Sequence, residues 1–422
     1  MRQILIFLAV TCFAQTPPAP NVEATIQKIV TNPKFKTATA FLDTDYDLFV
    51  RELIELTEIP APPFKEKVRA QAYLEKLRKV GGLQDVEMDP EGNVMGLRKG
   101  TGNGPLLAVL AHLDTVFPEG TDVKVKRKGT RLEAPGVGDD TRGLALMLEV
   151  IRALDAAKFT TQSDILFVGN VGEEGEGDLR GAKYLLTKGK YQGRIKNFLS
   201  IDGGEPGPIT NGGTGSKRYR VIFTGPGGHS YGAFGLVNPA FAMGNAIAKF
   251  AQLQVPSKPK TTFNVGVVKG GTSVNSIPFE VSMDVDMRSE SKEELSKLVD
   301  SFHGLLFAAV EEENKARSTA QGKIKVEAKL IGDRAAGETP RTSPIVQTVA
   351  AVVKSFGLTP SYNISSTDSN VPMSLGIPAV TIGRGKGGRA HSLDEWVDVD
   401  KPSQILAAQV AIATFLALAG AN

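Results

Sequence analysis

The stretch Leu-Leu-Ala-Val-Leu-Ala-His-Leu-Asp-Thr, residues 106–115, decides the fold. Its first six residues form a short apolar run rich in branched side chains, which predicts a buried strand of a parallel sheet. The run ends at His112, and Asp114 follows two residues later. Because residues two apart in an extended chain lie on the same face, Asp114 can hold one ring nitrogen of His112 while the other points outward. This pattern is typical of a metal ligand supported by a carboxylate.

Two further apolar runs end in acidic residues. Residues 164–171 lead into Glu173 and Glu174, which stand among glycines, and residues 195–201 lead into Asp202. Two adjacent carboxylates are expensive to hold together unless a cation is near. In open α/β sheets, ligands collect beyond the carboxyl ends of the strands. The three strand ends together therefore predict a cation site at one edge of a sheet.

A glycine-rich loop, residues 136–143, leads into a strongly periodic helix predicted for residues 141–157. Asp139 and Asp140 lie in this loop, directly before the helix. Asp140 stands where an N-cap residue would accept backbone N–H groups. The sequence leaves both roles open for Asp140, a helix cap and a metal ligand.

The pattern of the chain changes near residue 215 and returns near residue 330. Between these points, alternating strands and two helices follow the order β-α-β-β-α-β, which predicts a compact inserted unit of the ferredoxin-like type. We therefore predict an α/β protein in which a mixed-sheet main domain, residues 45–214 and 330–422, is interrupted by an α+β domain, residues 215–329.

The N-terminus predicts export. Residues 1–14 combine a positive start, a short apolar run and a small-residue end, which is typical of a secretory signal peptide cleaved after Ala14. We expect a periplasmic or secreted protein, with residues 15–44 as a spacer. Cys12 is the only cysteine, so a mature chain cleaved there has no disulfide. A lipid anchor at Cys12 is the alternative.

Composition limits the classes of partner. The chain has 422 residues, a net charge of +3 and no dense block of Lys and Arg, which does not indicate nucleic-acid binding. The N-terminal apolar run is too short to cross a bilayer as a helix, so we predict no membrane span.

The chain has four histidines, which fall into two groups. His303 lies on a predicted amphipathic helix and is expected to be structural. His112, His229 and His391 lie at strand ends or in loops beside glycine or alanine. With the acidic strand ends, they can build two zinc-type sites that share a bridging carboxylate.

Five short motifs resemble the metal motifs of the M20 metallopeptidases, the family of peptidase T and carboxypeptidase G2. They occur in the family's order, with the inserted domain in the expected place. The motifs are His112-Leu-Asp114-Thr, Gly138-Asp-Asp140-Thr-Arg-Gly143, Gly172-Glu-Glu174-Gly, Ser200-Ile-Asp202-Gly and Ala390-His391-Ser.

The resemblance implies a di-zinc hydrolase, with Co²⁺ or Mn²⁺ as substitute metals. It implies that His112 and Asp202 hold one ion and that Glu174 and His391 hold the other. Asp140 would bridge the two ions, with Asp139 as the alternative bridge.

The resemblance also implies the catalytic groups. Asp114 would orient His112, and Glu173 would be the general base that activates the bridging water. The inserted domain resembles the family's lid, which often forms a homodimer. In that lid, His229 would stabilise the oxyanion across the dimer interface, and Asn275 and Arg288 would bind a substrate carboxylate.

The implied activity is that of an exopeptidase acting on short peptides. An N-acyl amino-acid deacylase of the same fold is the alternative, and a catalytically inactive binding homologue is the alternative from another class. One departure is that Arg142 stands where many relatives have lysine, which leaves the substrate class open. The glycine-rich loop 383–389 is expected to line the pocket.

Overall fold

A computed structural model describes residues 20–102 and 104–421. The predicted signal peptide, Cys12 and the first residues of the predicted spacer lie outside these ranges. The strands of the described chain are β1 (Gln84–Met88), β2 (Val94–Arg98), β3 (Leu106–His112), β4 (Lys126–Lys128), β5 (Arg131–Glu133), β6 (Ile165–Asn170), β7 (Ile195–Gly203), β8 (Pro208–Gly213), β9 (Gly215–Thr224), β10 (Gly228–His229), β11 (Thr261–Gly270), β12 (Ser276–Ile277), β13 (Glu280–Ser289), β14 (Lys325–Arg334), β15 (Gly337–Glu338), β16 (Ser361–Ser365), β17 (Ala379–Gly383), β18 (Gly387–Gly388) and β19 (Trp396–Asp398).

The α-helices of the same ranges cover both faces of the main sheet or belong to the inserted domain. They are α1 (Pro20–Thr31), α2 (Pro33–Thr57), α3 (Lys67–Lys79), α4 (Thr141–Ala156), α5 (Arg180–Thr187), α6 (Pro239–Phe250), α7 (Lys292–Ala316), α8 (Pro344–Ser355), α9 (Asn370–Ser374) and α10 (Lys401–Ala419).

The main sheet is mixed and has nine strands, in the order β1-β2-β6-β3-β7-β17-β8-β15, with β16 paired to β8. Its centre is parallel: β3 lies between β6 and β7 and pairs in parallel with both. All seven residues of β3 are buried, as are the six of β6, because helices cover the sheet on both faces. This confirms the predicted α/β class and the three central strands.

The inserted domain has a sheet of its own. Its four strands are ordered β11-β13-β9-β14 and all pair antiparallel. With α6 and α7 they follow the predicted β-α-β-β-α-β order, and both helices pack on the same sheet to form a separate apolar core. Strand β14 continues to Arg334, five residues beyond the expected boundary at 329.

The N-terminal region differs from the expected spacer over residues 15–44. From Pro20 onward this region is helical, and α2 begins at Pro33 instead of at residue 45. Phe35, Ala38 and Leu42 are buried on one face of α2 and extend the core of the main domain. The segment is therefore part of the main domain.

One helix in the described ranges, α10, is long and apolar enough to cross a membrane by length and composition. However, 61% of this apolar window is buried inside the protein. Its residues Ala408, Ile412 and Phe415 belong to the main core. We interpret α10 as a core helix.

Candidate active site

The carboxyl ends of the three parallel strands carry the predicted site residues. Strand β3 ends at His112, β6 leads directly to Glu173 and Glu174, and β7 contains Asp202 near its end. Since the three strands are neighbours in the order β6-β3-β7, these four side chains emerge at one edge of the sheet.

His112 is buried at this edge and its ring is held from one side. Nδ1 lies 3.0 Å from the carbonyl oxygen of Asp114 and 3.6 Å from its carboxylate. If Nδ1 donates to that carbonyl, Nε2 is left free to bind a metal. Burial opposes the charged ring, but hydrogen bonds to Asp114 and Asp139 outweigh it and raise the pKa of His112 well above its usual value.

The carboxylate of Asp114 mainly organises the loop after β6. Its Oδ1 accepts from the backbone N–H of Glu173 at 3.0 Å, and its Oδ2 accepts from that of Glu174 at 2.8 Å. Asp114 therefore links the loop that carries the two glutamates to the strand that carries His112. The expected contact with the His112 ring is made chiefly by its main chain.

Asp139 lies between two histidines that are far apart in the sequence. Its Oδ1 is 3.0 Å from Nε2 of His112, and its Oδ2 is 3.3 Å from Nε2 of His391. The same nitrogen of His391 lies 2.8 Å from Oε1 of Glu174. One carboxylate thus faces both imidazoles.

Asp140, the expected bridge, contacts only one of the two histidines among the described hydrogen bonds and ion pairs. Its Oδ2 accepts from the backbone N–H of His112 at 3.0 Å, and its Oδ1 lies 3.2 Å from Nη1 of Arg384. Its side chain makes no cap bond to α4 either. The geometry favours the alternative, Asp139, because only Asp139 reaches both histidines among the hydrogen bonds and ion pairs of the described chain.

The two adjacent aspartates also differ in their electrostatics. Burial opposes ionisation of Asp139, but Arg384 and hydrogen bonds to the two imidazoles outweigh it and hold its pKa well below the usual value. Burial raises the pKa of Asp140 well above its usual value, against the lowering effect of Arg384 and His112. These directions agree with the contacts, in which Asp139 faces both imidazoles.

Arg384 is a site residue that the sequence did not single out. Its guanidinium is buried and bonds to Asp202 and Asp140, with Nη2 3.4 Å from Asp139. It offsets part of the negative charge that these carboxylates accumulate. The only signal was its position in the glycine-rich loop 383–389, which was expected to line the pocket.

Glu173 is nearly fully buried, and Arg334 holds it. Nη1 of Arg334 lies 3.2 Å from Oε1 of Glu173, and Nη2 donates to the carbonyl oxygen of the same residue. Burial raises the pKa of Glu173 well above its usual value, Arg334 acts in the opposite direction, and Glu174 adds to the increase. Glu173 is therefore a fixed carboxylate with enhanced basicity.

A cavity of about 230 Å³ opens beside these groups, between the two domains of the chain. It is lined from the main domain by Asp139, Glu173, Glu174, Gly175, Asp202, Ser365, Ser366, Thr367 and His391, and from the inserted domain by Arg218, Arg288 and Arg334. Asp286 holds two of these arginines, accepting from Nε of Arg288 at 2.6 Å and from Nε of Arg218 at 3.0 Å.

His229 and Asn275 lie away from this cavity. Both are on the exposed edge of the inserted domain, where Ser230 N–H donates to the carbonyl oxygen of Asn275 at 2.9 Å. Nδ1 of His229 accepts from the N–H groups of Tyr231 and Gly232, each at 3.2 Å. Nε2 therefore carries the proton of the neutral ring. A single chain does not bring these two residues to the site.

Arg142 stands where many relatives have lysine, and its side chain connects elements of the main domain. It is fully buried and donates to the carbonyl oxygens of Lys386 and Asp398 and to Gln404. It thereby ties α4 to the loop that follows β17 and to α10.

His303, expected to be structural, packs edge-on against Tyr219 with 5.0 Å between ring centroids.

The donor atoms at the site fit metal ions. Two overlapping groups bring one ligand atom from each member within 4.8 Å of the others: His112, Asp139 and Glu174, and His112, Asp140 and Asp202. Imidazole nitrogens and carboxylate oxygens are ligands that Zn²⁺ accepts. Several buried carboxylates meet here beside Arg384 and Arg334, and a bound cation would reduce the repulsion among them.

The fold and the paired donor groups define a class, the metal-dependent hydrolases. The chain belongs to Peptidase family M20/M25/M40, whose family model matches residues 108–417.

Three known proteins illustrate the relationship. The chain is 25% identical over 287 residues to thermostable carboxypeptidase 1 of Saccharolobus solfataricus, covering 63% of this chain and 71% of that one. It is 25% identical over 205 residues to carboxypeptidase G2 of Pseudomonas sp., covering 48% of each chain. The structure of aminopeptidase PepT from Bacillus cereus aligns with a TM-score of 0.70 at 23% identity, over 89% of this chain and 99% of that one.

Proposed function

We propose that this protein is a di-zinc exopeptidase that hydrolyses amide bonds of short peptides. The observation that carries this proposal is Asp139, whose two oxygens face Nε2 of His112 and Nε2 of His391. A carboxylate shared in this way suits two ions a few Å apart. The relatives named above are carboxypeptidases and an aminopeptidase, which supports a peptide substrate.

The pairing of ligands follows the family resemblance, and the bridge follows the contacts of Asp139 with the two histidines. His112 and Asp202 would hold one zinc ion, Glu174 and His391 the other, and Asp139 both, with Co²⁺ or Mn²⁺ as substitutes. Bound zinc would polarise the scissile carbonyl and lower the pKa of the attacking water. Asp140 accepts a hydrogen bond from the backbone N–H of His112 and so helps to hold the strand end that carries this ligand.

We assign Glu173 as the general base. Its carboxylate lines the cavity, and Arg334 and the Asp114-anchored main chain fix its position. From there it takes a proton from the attacking water and delivers it to the leaving amine. The burial that raises its pKa makes it a stronger proton acceptor than an exposed glutamate.

Arg288 is the proposed group for a substrate carboxylate. It lines the cavity from the inserted domain, and the bond to Asp286 orients its guanidinium. Arg218, on the neighbouring strand, is held by the same aspartate and extends the positive surface. A forked guanidinium suits a carboxylate, such as the terminal carboxylate of a short peptide.

We propose that His229 and Asn275 act on the site of a second copy, with the inserted domain as lid and dimer interface. Large apolar side chains stand exposed beside them: Tyr231 at 89%, Phe234 at 91% and Val274 at 102% exposure. Strand β11 is a ten-residue edge strand with its last residues exposed. A long exposed edge and an apolar patch of this kind favour a protein partner.

Replacing His229 with alanine is expected to lower kcat by about 10² to 10³-fold, since a neutral imidazole N–H is lost from the oxyanion. Metal content and melting temperature should stay near wild-type values, because His229 is exposed and outside the donor groups. The measurement is kcat, bound zinc and melting temperature on one preparation. His303→Ala is the matched control and should retain activity.

The same variant tests the dimer. Mixing His229→Ala chains with Glu173→Ala chains should restore activity, because each mixed dimer contains one complete site. A wild-type kcat for His229→Ala would contradict the assignment, and a loss of activity that mixing does not rescue would contradict action across the interface.

The substrate class is tested by product analysis. A peptide library and a panel of N-acyl amino acids are incubated with the metal-loaded enzyme, with Glu173→Ala as the blank, and products are identified by mass spectrometry. Release of single residues from one end of peptides is the expected result. Turnover of N-acyl amino acids alone would make the protein a deacylase, and no turnover with bound metal would indicate an inactive binding homologue.

We also propose that residues 1–14 direct export and that the mature protein is periplasmic or secreted. The basis is the sequence of this segment alone. The intact mass of the expressed protein tests it: a chain beginning at Gln15 is expected, a chain beginning at a lipid-modified Cys12 would establish the lipid anchor instead, and an unprocessed chain that keeps Met1 would contradict export.

A further inference from the structure

Glu395, an acidic residue outside the proposed metal ligands, contacts the loop that carries Asp139. Glu395 is 1% exposed, and its carboxylate accepts three backbone N–H groups of this loop. Oε2 accepts from Gly136 at 2.9 Å, and Oε1 accepts from Gly138 at 2.9 Å and from Asp139 at 2.7 Å. Among the described residues, every donor to this carboxylate lies in the four-residue segment 136–139.

Glu395 also belongs to the loop that carries His391. Its own backbone N–H donates to the carbonyl oxygen of Ser392 at 3.1 Å, which closes a turn directly after the histidine. Its carbonyl oxygen accepts from Ala134 N–H at 3.1 Å, next to the pairing of β19 with β5. One residue therefore joins two loops that are about 250 positions apart and that each carry a proposed metal ligand.

The loop that carries Asp139 packs tightly against the carboxylate of Glu395. A Cβ added to Gly138 would lie 2.9 Å from Oε1 of Glu395, closer than real Cβ contacts. An ionised carboxylate is an acceptor at both oxygens, as three converging N–H donors require. A glutamine would turn an NH₂ group toward one of these donors. Burial and the nearby Asp139 raise the pKa of Glu395, and the three N–H bonds act in the opposite direction.

We propose that Glu395 is a positioning residue that sets Asp139 relative to His391, and through them the separation of the two metal positions. This rests on the proposed di-zinc function. Asp139 reaches two nitrogens at 3.0 and 3.3 Å, and a shift of its main chain would lengthen one contact at the expense of the other. Groups that orient metal ligands typically change metal affinity by about 10 to 100-fold when they are removed.

The test compares Glu395→Gln and Glu395→Asp with wild type. Asp394→Asn is the matched control, since Asp394 is the neighbouring acid but is exposed and bonds only to Arg389 and Ser392 among the described residues. Metal affinity is measured by competition with a chromophoric chelator, and the visible spectrum of the Co²⁺-loaded protein reports ligand geometry. Melting temperature of the metal-free chain and kcat and KM on a peptide are recorded in parallel.

Glu395→Gln is expected to bind the second metal equivalent about 10 to 100-fold more weakly and to change the Co²⁺ spectrum. It should lower kcat with KM nearly unchanged, and Asp394→Asn should behave as wild type. If Glu395→Gln does not fold, Glu395→Asp, which keeps the charge but is one methylene shorter, is expected to show the same changes. Wild-type affinity and spectrum in a folded variant would overturn the proposal, even with a lower melting temperature. A wild-type chain that binds no metal would instead overturn the proposed function.

Discussion

Glu173→Ala is expected to lower kcat by about 10² to 10⁴-fold while the bound metal stays at the wild-type level. Glu173 lines the cavity but belongs to neither donor group. Its removal therefore takes away the proton acceptor and leaves the ligands in place. The change is measured as kcat together with metal content by elemental analysis.

Two control variants distinguish the loss of the general base from a loss of structural stability. Glu173 bonds to the buried guanidinium of Arg334, so its loss can also affect stability, and Glu173→Gln keeps the shape of the side chain while removing the base. Glu176→Ala, three residues along the same loop and exposed, should retain activity. A Glu173→Ala chain that turns over peptides at the wild-type rate would refute the assignment.

Removal of metal is the second large effect. A strong chelator is expected to abolish hydrolysis, and added Zn²⁺ or Co²⁺ should restore it. The wild-type chain should hold about two divalent ions, since the donor atoms form two overlapping groups. His112→Ala and His391→Ala should each lose one ion and most of the activity, whereas His303→Ala should keep both ions.

Variants of Asp139 and Asp140 test which of the two aspartates bridges the metal ions. Asp139 contacts both histidines, so Asp139→Asn should weaken both metal positions. Asp140 contacts His112 but not His391 among the described hydrogen bonds, so Asp140→Asn should weaken only one. Elemental analysis of the two variants decides between them as bridge. Full activity in chelator without bound metal would refute the metal site itself.

The strands and the donor residues could be predicted from the sequence because each has a local signal. The apolar runs before His112, Glu173 and Asp202 have the length and composition of buried parallel strands, and they ended as expected at one sheet edge. The inserted domain was predictable because apolar and polar residues alternate along most of β13. The structure places the apolar residues on the buried face of this strand.

Other features depend on tertiary contacts. Asp139 and Asp140 precede the same helix, and only the path of the backbone decides which side chain faces the histidines. Arg384 and Arg334 each stand alone in the sequence, one in a glycine-rich loop and one at a strand end, so no spacing marks them. For α2 a signal existed: Phe35, Ala38 and Leu42 follow helical spacing, but few other apolar residues support it.

The inserted domain enters and leaves the main domain at one place. Its first and last strands are antiparallel neighbours, with Ser216 opposite Arg334, and β15 then pairs with β8, the strand that precedes the insertion. A segment whose ends lie side by side can be exchanged or lengthened without separating the strands that carry the proposed ligands. A change in the insertion can therefore alter the arginines that face the cavity, while the proposed metal ligands keep their places in the main domain.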